Sequence, residues 1–216
     1  MAYANVIFDF DGTITDSKRD IADAQLWTLG QLGVNGISTE EIYPHIGKPL
    51  DETFRVLLPS SLHHRIDEAS ALYSEYYPSR ALQTTTLFPG VKETLMALHE
   101  TGIRLAIAST KKGPGIRRGT DHFGITHIFD QLQGSDNIPF KPDPTIIEYI
   151  LRDQHWGRED TLMVGDTDKD VLAAHNAGID ACAVTYGAFA RMALANLRPR
   201  YIIDSFPELS SIILAK

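Results

Sequence analysis

The chain has 216 residues, enough for one substantial core with a small satellite domain. Its 20 basic and 28 acidic residues leave a formal charge of −8, which makes it a poor candidate for nonspecific nucleic-acid binding, since that depends on a basic surface. A single cysteine, Cys182, excludes an internal disulfide. The short apolar start, interrupted by Asp9 and Asp11, reads neither as a signal peptide nor as a membrane span, so the expected setting is the cytoplasm.

The first element in chain order is a strand. Residues 5–10 are rich in β-branched and aromatic side chains, and Asp11-Gly12-Thr13 follows as a turn. Similar runs at 103–108, 161–164, 181–185 and 201–203, with a weaker one at 128–132, predict further buried strands. Between them lie amphipathic helical patterns. One follows Pro89-Gly90 and stops at Gly102, one starts at Pro144, and one follows Asp168 and ends at Gly178. Strands alternating with such helices predict an α/β fold, a doubly wound, Rossmann-like parallel sheet covered on both faces.

Residues 17–85 break that rhythm. They carry no strand-like run, and helical patterns are expected at 21–32, 39–46, 51–58 and 62–77. The expected organisation is therefore an α/β core from 1–16 and 86–216, with a small all-helical cap, 17–85, inserted after the first strand.

Four segments place polar residues just beyond predicted strand ends, where open α/β sheets bind their ligands. In Asp9-Phe10-Asp11-Gly12-Thr13, two carboxylates at i and i+2 leave the strand on one side, and Gly12 allows a tight turn that presents amides to an anion. Ser109-Thr110 offers a hydroxyl to a phosphate oxygen, or caps a helix. Lys141, in Lys141-Pro142-Asp143-Pro144, is placed to neutralise either a phosphate or a carboxylate nucleophile. Gly165-Asp166-Thr167-Asp168-Lys169-Asp170 is acidic and oxygen-rich, as Mg2+ prefers. Asp166, directly after the strand, is the metal-ligand candidate, whereas Asp168 reads as an acidic helix start.

Taken together, these four segments identify the chain as resembling the haloacid dehalogenase superfamily, in the branch with a helical cap after the first motif. Asp9 to Ser17 is similar to the family's first motif, Ser109 to its second, Lys141 to its third and Gly165 to Asp170 to its fourth. His175-Asn176-Ala177-Gly178-Ile179, Thr185-Tyr186-Gly187 and residues 201–209 match later pieces.

The resemblance implies a Mg2+-dependent phosphatase of a small phosphorylated metabolite, similar to phosphoglycolate phosphatases. Asp9 is then the nucleophile that forms an aspartyl-phosphate, and Asp11 the general acid and base. Mg2+ is expected on Asp9, the main-chain carbonyl of Asp11, and Asp166. Ser109 and Lys141 hold the phosphoryl oxygens, Gly12, Thr13 and Thr110 line the substrate site, and Asp170 orients Lys141 or a metal-bound water.

Haloacid dehalogenases lack the second aspartate of the first motif, and Asp11 is present here. The related β-phosphoglucomutases carry a histidine where this chain has Ile21. Thr110 departs from an asparagine common in close relatives and puts that substrate contact in doubt. The segment Ile46-Gly47-Lys48-Pro49-Leu50 resembles a cap loop of phosphoglycolate phosphatases, pyrophosphatases and nucleotidases, and makes Lys48 the first candidate to read a second anionic group, ahead of Arg55 and Arg80. The alternatives left open are a phosphosugar phosphatase or mutase, a nucleotidase or pyrophosphatase, and a noncatalytic binding member. The expected assembly is a monomer or homodimer.

Overall fold

The computed structural model describes residues 3–214. The elements run β1 (Asn5–Phe8), β2 (Thr15–Asp16), α1 (Lys18–Gln31), α2 (Thr39–Ile42), α3 (Leu50–Leu57), α4 (Ile66–Arg80) and β3 (Thr86–Leu87), then α5 (Val91–Glu100), β4 (Arg104–Ala108), α6 (Gly113–Phe123), β5 (Gln131–Gln133) and α7 (Thr145–Gln154). The last are β6 (Thr161–Gly165), α8 (Asp168–Ala177), β7 (Asp180–Val184), α9 (Arg191–Asn196), β8 (Tyr201–Ile203) and α10 (Glu208–Ile213). The chain divides into two compact units, 1–16 with 87–216, and 17–86.

The larger unit is built on a six-stranded sheet in the order β5-β4-β1-β6-β7-β8, with every neighbouring pair parallel. Its strands read as nearly continuous apolar runs because both faces are covered. Successive side chains point to opposite faces, and the two cores divide accordingly. Val6, Phe8, Leu105, Ile107, Leu162 and Val164 pack on α5 and α10 through Val91, Leu95, Leu98, Leu209 and Ile213. Ile7, Ala106, Ala108, Met163, Ala181 and Ala183 face α7 and α8 through Ile146, Ile147, Ile150, Val171 and Ala174.

After β1 the chain builds outward on one side through β4 and β5, then crosses to the other side at β6. This reversal flanks β1, and a crevice at the carboxyl ends of β1, β4 and β6 is its geometric result. Register brings those ends level, with Phe8 beside Ile107 on one side and Val164 on the other.

The smaller unit is helical around its own core of Leu29, Ile42, Phe54, Leu57, Ile66 and Tyr73. Trp27 stacks on Tyr76 at 3.8 Å. The Asp20 carboxylate closes the unit near its two ends. It accepts hydrogen bonds from the main-chain N–H and hydroxyl of both Thr84 and Thr85, at 2.6–3.2 Å. Burial raises the Asp20 pKa, but these donors more than offset it, so the carboxyl lies below its ordinary value. β2 and β3 pair as a two-stranded ribbon.

Several elements differ from the sequence expectation. The helix expected over 39–46 ends at Ile42 and continues as a 3-10 turn, Tyr43–His45, because Pro44 has no N–H to extend it. The helix expected from residue 62 begins as a 3-10 turn, Ser60–Arg65, and becomes α-helical only at Ile66. The expected strand at 128–132 is a 3-10 turn, Thr126–Ile128, followed by β5 at Gln131–Gln133. α6, α9 and α10 were not expected. No helix among the described residues is long and apolar enough to cross a membrane.

Candidate active site

Asp9 is the first residue beyond β1. Its N–H donates to the Val164 carbonyl at 2.9 Å, which extends the β1–β6 ladder by one bond and aims the carboxylate off the sheet. Lys141 arrives from the loop before α7 and is buried with only 3% of its surface exposed. Its ammonium donates to Asp9 Oδ1 at 2.8 Å, to the Ala108 carbonyl at 3.0 Å and to Asp170 Oδ1 at 2.5 Å. An ammonium has three protons, and these three acceptors match them. These contacts support neutralisation of the Asp9 carboxylate, one of the two roles open to Lys141.

Asp170 also accepts from the Thr167 N–H at 3.0 Å and the Thr167 hydroxyl at 2.6 Å through Oδ2. It therefore ties Lys141 to the first turn of α8. Of the two partners expected for Asp170, Lys141 or a metal-bound water, Lys141 is the one it bonds here. Asp168 stands as the first residue of α8, where an acid favours the helix dipole.

Asp166, the first residue beyond β6, is 1% exposed. Oδ1 accepts from the Thr13 hydroxyl at 3.0 Å, and Oδ2 from the Ala188 N–H at 2.7 Å. Thr13 was expected at the substrate. Its hydroxyl donates to Asp166. Gly12 and Gly187 pack so closely on Asp166 that a Cβ on either would collide with it, and Gly12 has φ +92°. Gly12 is thus required by the wall of the carboxylate pocket, beyond any amide it presents.

Oxygens of Asp9, Asp166 and Asp170 lie within 4.8 Å of one another, all buried. Burial pushes the Asp9 carboxyl up to about 6, against the pull of Lys141, and the nearby Asp170 charge adds to the rise. Burial, then the charges of Asp170 and Asp9, hold the Asp166 carboxyl well above the ordinary range despite its two hydrogen bonds. Three convergent buried carboxylates, two of them paired with Lys141, suit a hard divalent cation with oxygen ligands. The Asp11 carboxylate lies outside this group: its Oδ2 pairs with Lys111 Nζ at 2.7 Å. The pairing leaves the main-chain carbonyl of Asp11 as the atom the sequence reading assigns to a metal.

Ser109 is buried just past β4. Its N–H donates to the Gln133 carbonyl at 3.1 Å, and its Oγ accepts from the Lys111 N–H at 3.3 Å. Thr110 contributes its carbonyl to the Ser135 hydroxyl at 2.5 Å. Lys48 belongs to the helical unit, where its ammonium donates to His45 Nδ1 at 2.9 Å. Burial and then Lys48 lower the His45 pKa, so the imidazole is the neutral acceptor. Arg80 lies over the Tyr76 ring of the same unit.

Sequence reasoning missed Lys111 and the segment Tyr186-Gly187-Ala188. Lys111 stood two residues beyond Ser109 at a strand end, a usable signal. The second segment matched the family pattern but gave no hint that Ala188 would serve Asp166, or that the Tyr186 hydroxyl would donate to the Thr13 carbonyl at 3.1 Å.

The fold agrees with the comparisons. The family model described as haloacid dehalogenase-like hydrolase matches residues 6–184, and the chain belongs to that family. A phosphoglycolate phosphatase of Vibrio cholerae serotype O1 is 31% identical over 97% of this chain and 96% of its own length. Pyrophosphatase PpaX of Halalkalibacterium halodurans is 30% identical over 100% and 99%. The structure of a haloacid dehalogenase-like family hydrolase from Streptococcus pneumoniae superposes with a TM-score of 0.89 at 29% identity, covering 98% of both chains. The enzyme class these relatives define is a phosphatase-type hydrolase.

Proposed function

We propose that this chain is a Mg2+-dependent phosphatase that hydrolyses a small phosphate monoester of the phosphoglycolate type in the cytoplasm, through an aspartyl-phosphate on Asp9. The observation that carries the reading is the buried Asp9 carboxylate, held by Lys141 beside Asp166 at the carboxyl ends of β1 and β6.

Asp9 Oδ attacks phosphorus in line, and the leaving oxygen takes a proton from Asp11. A water then attacks the same phosphorus, gives its proton to Asp11 and frees Asp9. Lys141 keeps the Asp9 carboxylate in one orientation and offsets the repulsion between two anions. Ser109 supports this step from the adjacent loop by holding a phosphoryl oxygen. Asp9, the Asp11 carbonyl and Asp166 would hold Mg2+, which when bound adds the positive charge that stabilises the transferring phosphoryl group. Asp170 serves as the anchor of Lys141. The helical unit, as a cap carrying Lys48, selects the leaving group.

A pyrophosphatase is the second reading, favoured by the similarity to PpaX along the whole chain. One experiment separates them: kcat/KM with MgCl2 on 2-phosphoglycolate, pyrophosphate, sugar phosphates, nucleoside monophosphates and p-nitrophenyl phosphate. The expected result is a preference for a small carboxylated monoester, loss of turnover with a chelator, and none in Asp9→Asn. Silence across the whole panel would overturn the phosphatase reading, and substantial activity in Asp9→Asn would overturn the covalent step.

A further inference from the structure

The loop after β4 carries Ser109 and Lys111, yet its own sequence supplies little to hold it. Residues 109–115 include two glycines and no apolar anchor. The restraint comes from the loop after β5. The Gln133 carbonyl accepts from the Ser109 N–H at 3.1 Å. The Ser135 hydroxyl donates to the Thr110 carbonyl at 2.5 Å, and the Ser135 N–H to the Lys111 carbonyl at 3.3 Å. The Asp136 carboxylate accepts from the Gly113 N–H at 2.7 Å. Gly134 lies so close that a Cβ would collide with the Gly113 nitrogen.

Residues 133–136 thus grip 109, 110, 111 and 113 in matching order. A peptide unit is planar and trans, so fixing a carbonyl fixes the N–H on the opposite side. Turning the Thr110 and Lys111 carbonyls toward Ser135 therefore turns the N–H groups of Lys111 and Lys112 the other way. That of Lys111 donates to Ser109 Oγ at 3.3 Å. At the start of α6, Lys112 makes no side-chain cap bond, and Asp136 accepts from the first helical N–H in its place.

We propose that Ser135 and Asp136 are positioning residues for the phosphoryl-holding loop. By fixing the 110–111 and 111–112 peptide planes and the start of α6, they set where the Ser109 hydroxyl and the Lys111 side chain stand. The inference rests on the reading, made above, that Ser109 holds a phosphoryl oxygen.

The test uses the whole protein as Ser135→Ala, Asp136→Ala, Asp136→Asn and the Ser135→Ala/Asp136→Ala double variant. KM, kcat, the competitive inhibition constant of inorganic phosphate, and Tm are read for each. The double variant is expected to raise KM and the phosphate inhibition constant together, on the order of tenfold, with a smaller change in kcat. Asp136→Asn is expected to keep wild-type values, because an amide oxygen accepts the same N–H. If the double variant does not fold, the single variants carry the comparison. Folded variants with wild-type KM and phosphate inhibition overturn the inference alone, even if Tm falls. A wild-type protein that turns over no phosphate ester and is not inhibited by phosphate overturns the functional reading, and this inference with it.

Discussion

Lys141 Nζ stands 2.8 Å from Asp9 Oδ1 although 132 residues separate them in the chain. The same nitrogen bonds Asp170, so one ammonium serves two buried carboxylates. Removing one member of such a set leaves uncompensated charge, which is costlier than never having built it. Lys141→Met is therefore expected to lose both activity and stability, the latter by about 3–5 kcal/mol in metal-free protein. Denaturant unfolding with and without MgCl2 checks this. A variant with wild-type stability and turnover would contradict the pairing.

The Asp166 pocket depends on two missing side chains. Gly187→Ala places a Cβ against Asp166, and the carboxylate must move away from Thr13 and Ala188. The expected outcome is a Mg2+ requirement raised about 10- to 100-fold, the range seen when supports of a metal ligand are lost. A titration of activity against MgCl2 measures it. An unchanged requirement would show that Asp166 tolerates the shift. Gly12→Ala is expected to be worse, since φ +92° adds backbone strain to the collision.

The pH dependence follows from the raised Asp9 pKa. Folding lifts this carboxyl from its ordinary 3.8 to about 6. Between those values the folded state binds more protons than the unfolded chain, so the Asp9 contribution to stability falls as pH rises from 3.8 through 6. A divalent cation needs the ionised carboxylate, so its stabilising effect grows over the same interval. The rise in Tm on adding MgCl2 is expected to be small at pH 5 and larger at pH 8. Asp166→Asn is expected to lose most of that increment. A constant increment across pH, or one kept by Asp166→Asn, would count against the carboxylate cluster as the cation site.

Cys182 gives a simpler prediction. Burial pushes its thiol up to about 12, and the side chain is enclosed in the sheet core. Thiol reagents at pH 8 are expected to leave the folded protein unlabelled and to modify one group per chain in denaturant. Rapid labelling without denaturant would show that the core opens readily.

The central strands were legible because their residues are apolar on both faces: β1, β4 and β6 stand out of the sequence as unbroken runs. β5 does not, since Gln131-Leu132-Gln133 gains its pairing from β4 and not from its own composition. α6 was hidden for a related reason. Its sequence holds three glycines, a proline and few apolar residues, and Gly119 is small because Phe10 packs against it. The expected cap of 17–85 and the observed unit of 17–86 lie a residue apart, since the change from strand to helix periodicity marks both. At the site, residues just beyond strand ends could be found one by one. Partnerships were less visible: Lys111 with Asp11, Thr13 with Asp166 and Ser135 with Thr110 join different loops, and only the folded sheet decides which loops meet.

The Asp20 carboxylate binds Thr84 and Thr85, so the first turn and the last residues of the helical unit are stapled together. To the α/β unit, the whole insertion is then topologically a short loop, and lengthening a closed loop costs only a slowly growing entropy. The insertion is in this sense a cassette. Its interior is free to diverge while β1 and α5 keep their register, so the sequence of the insertion and that of the α/β unit can change on separate schedules within one chain.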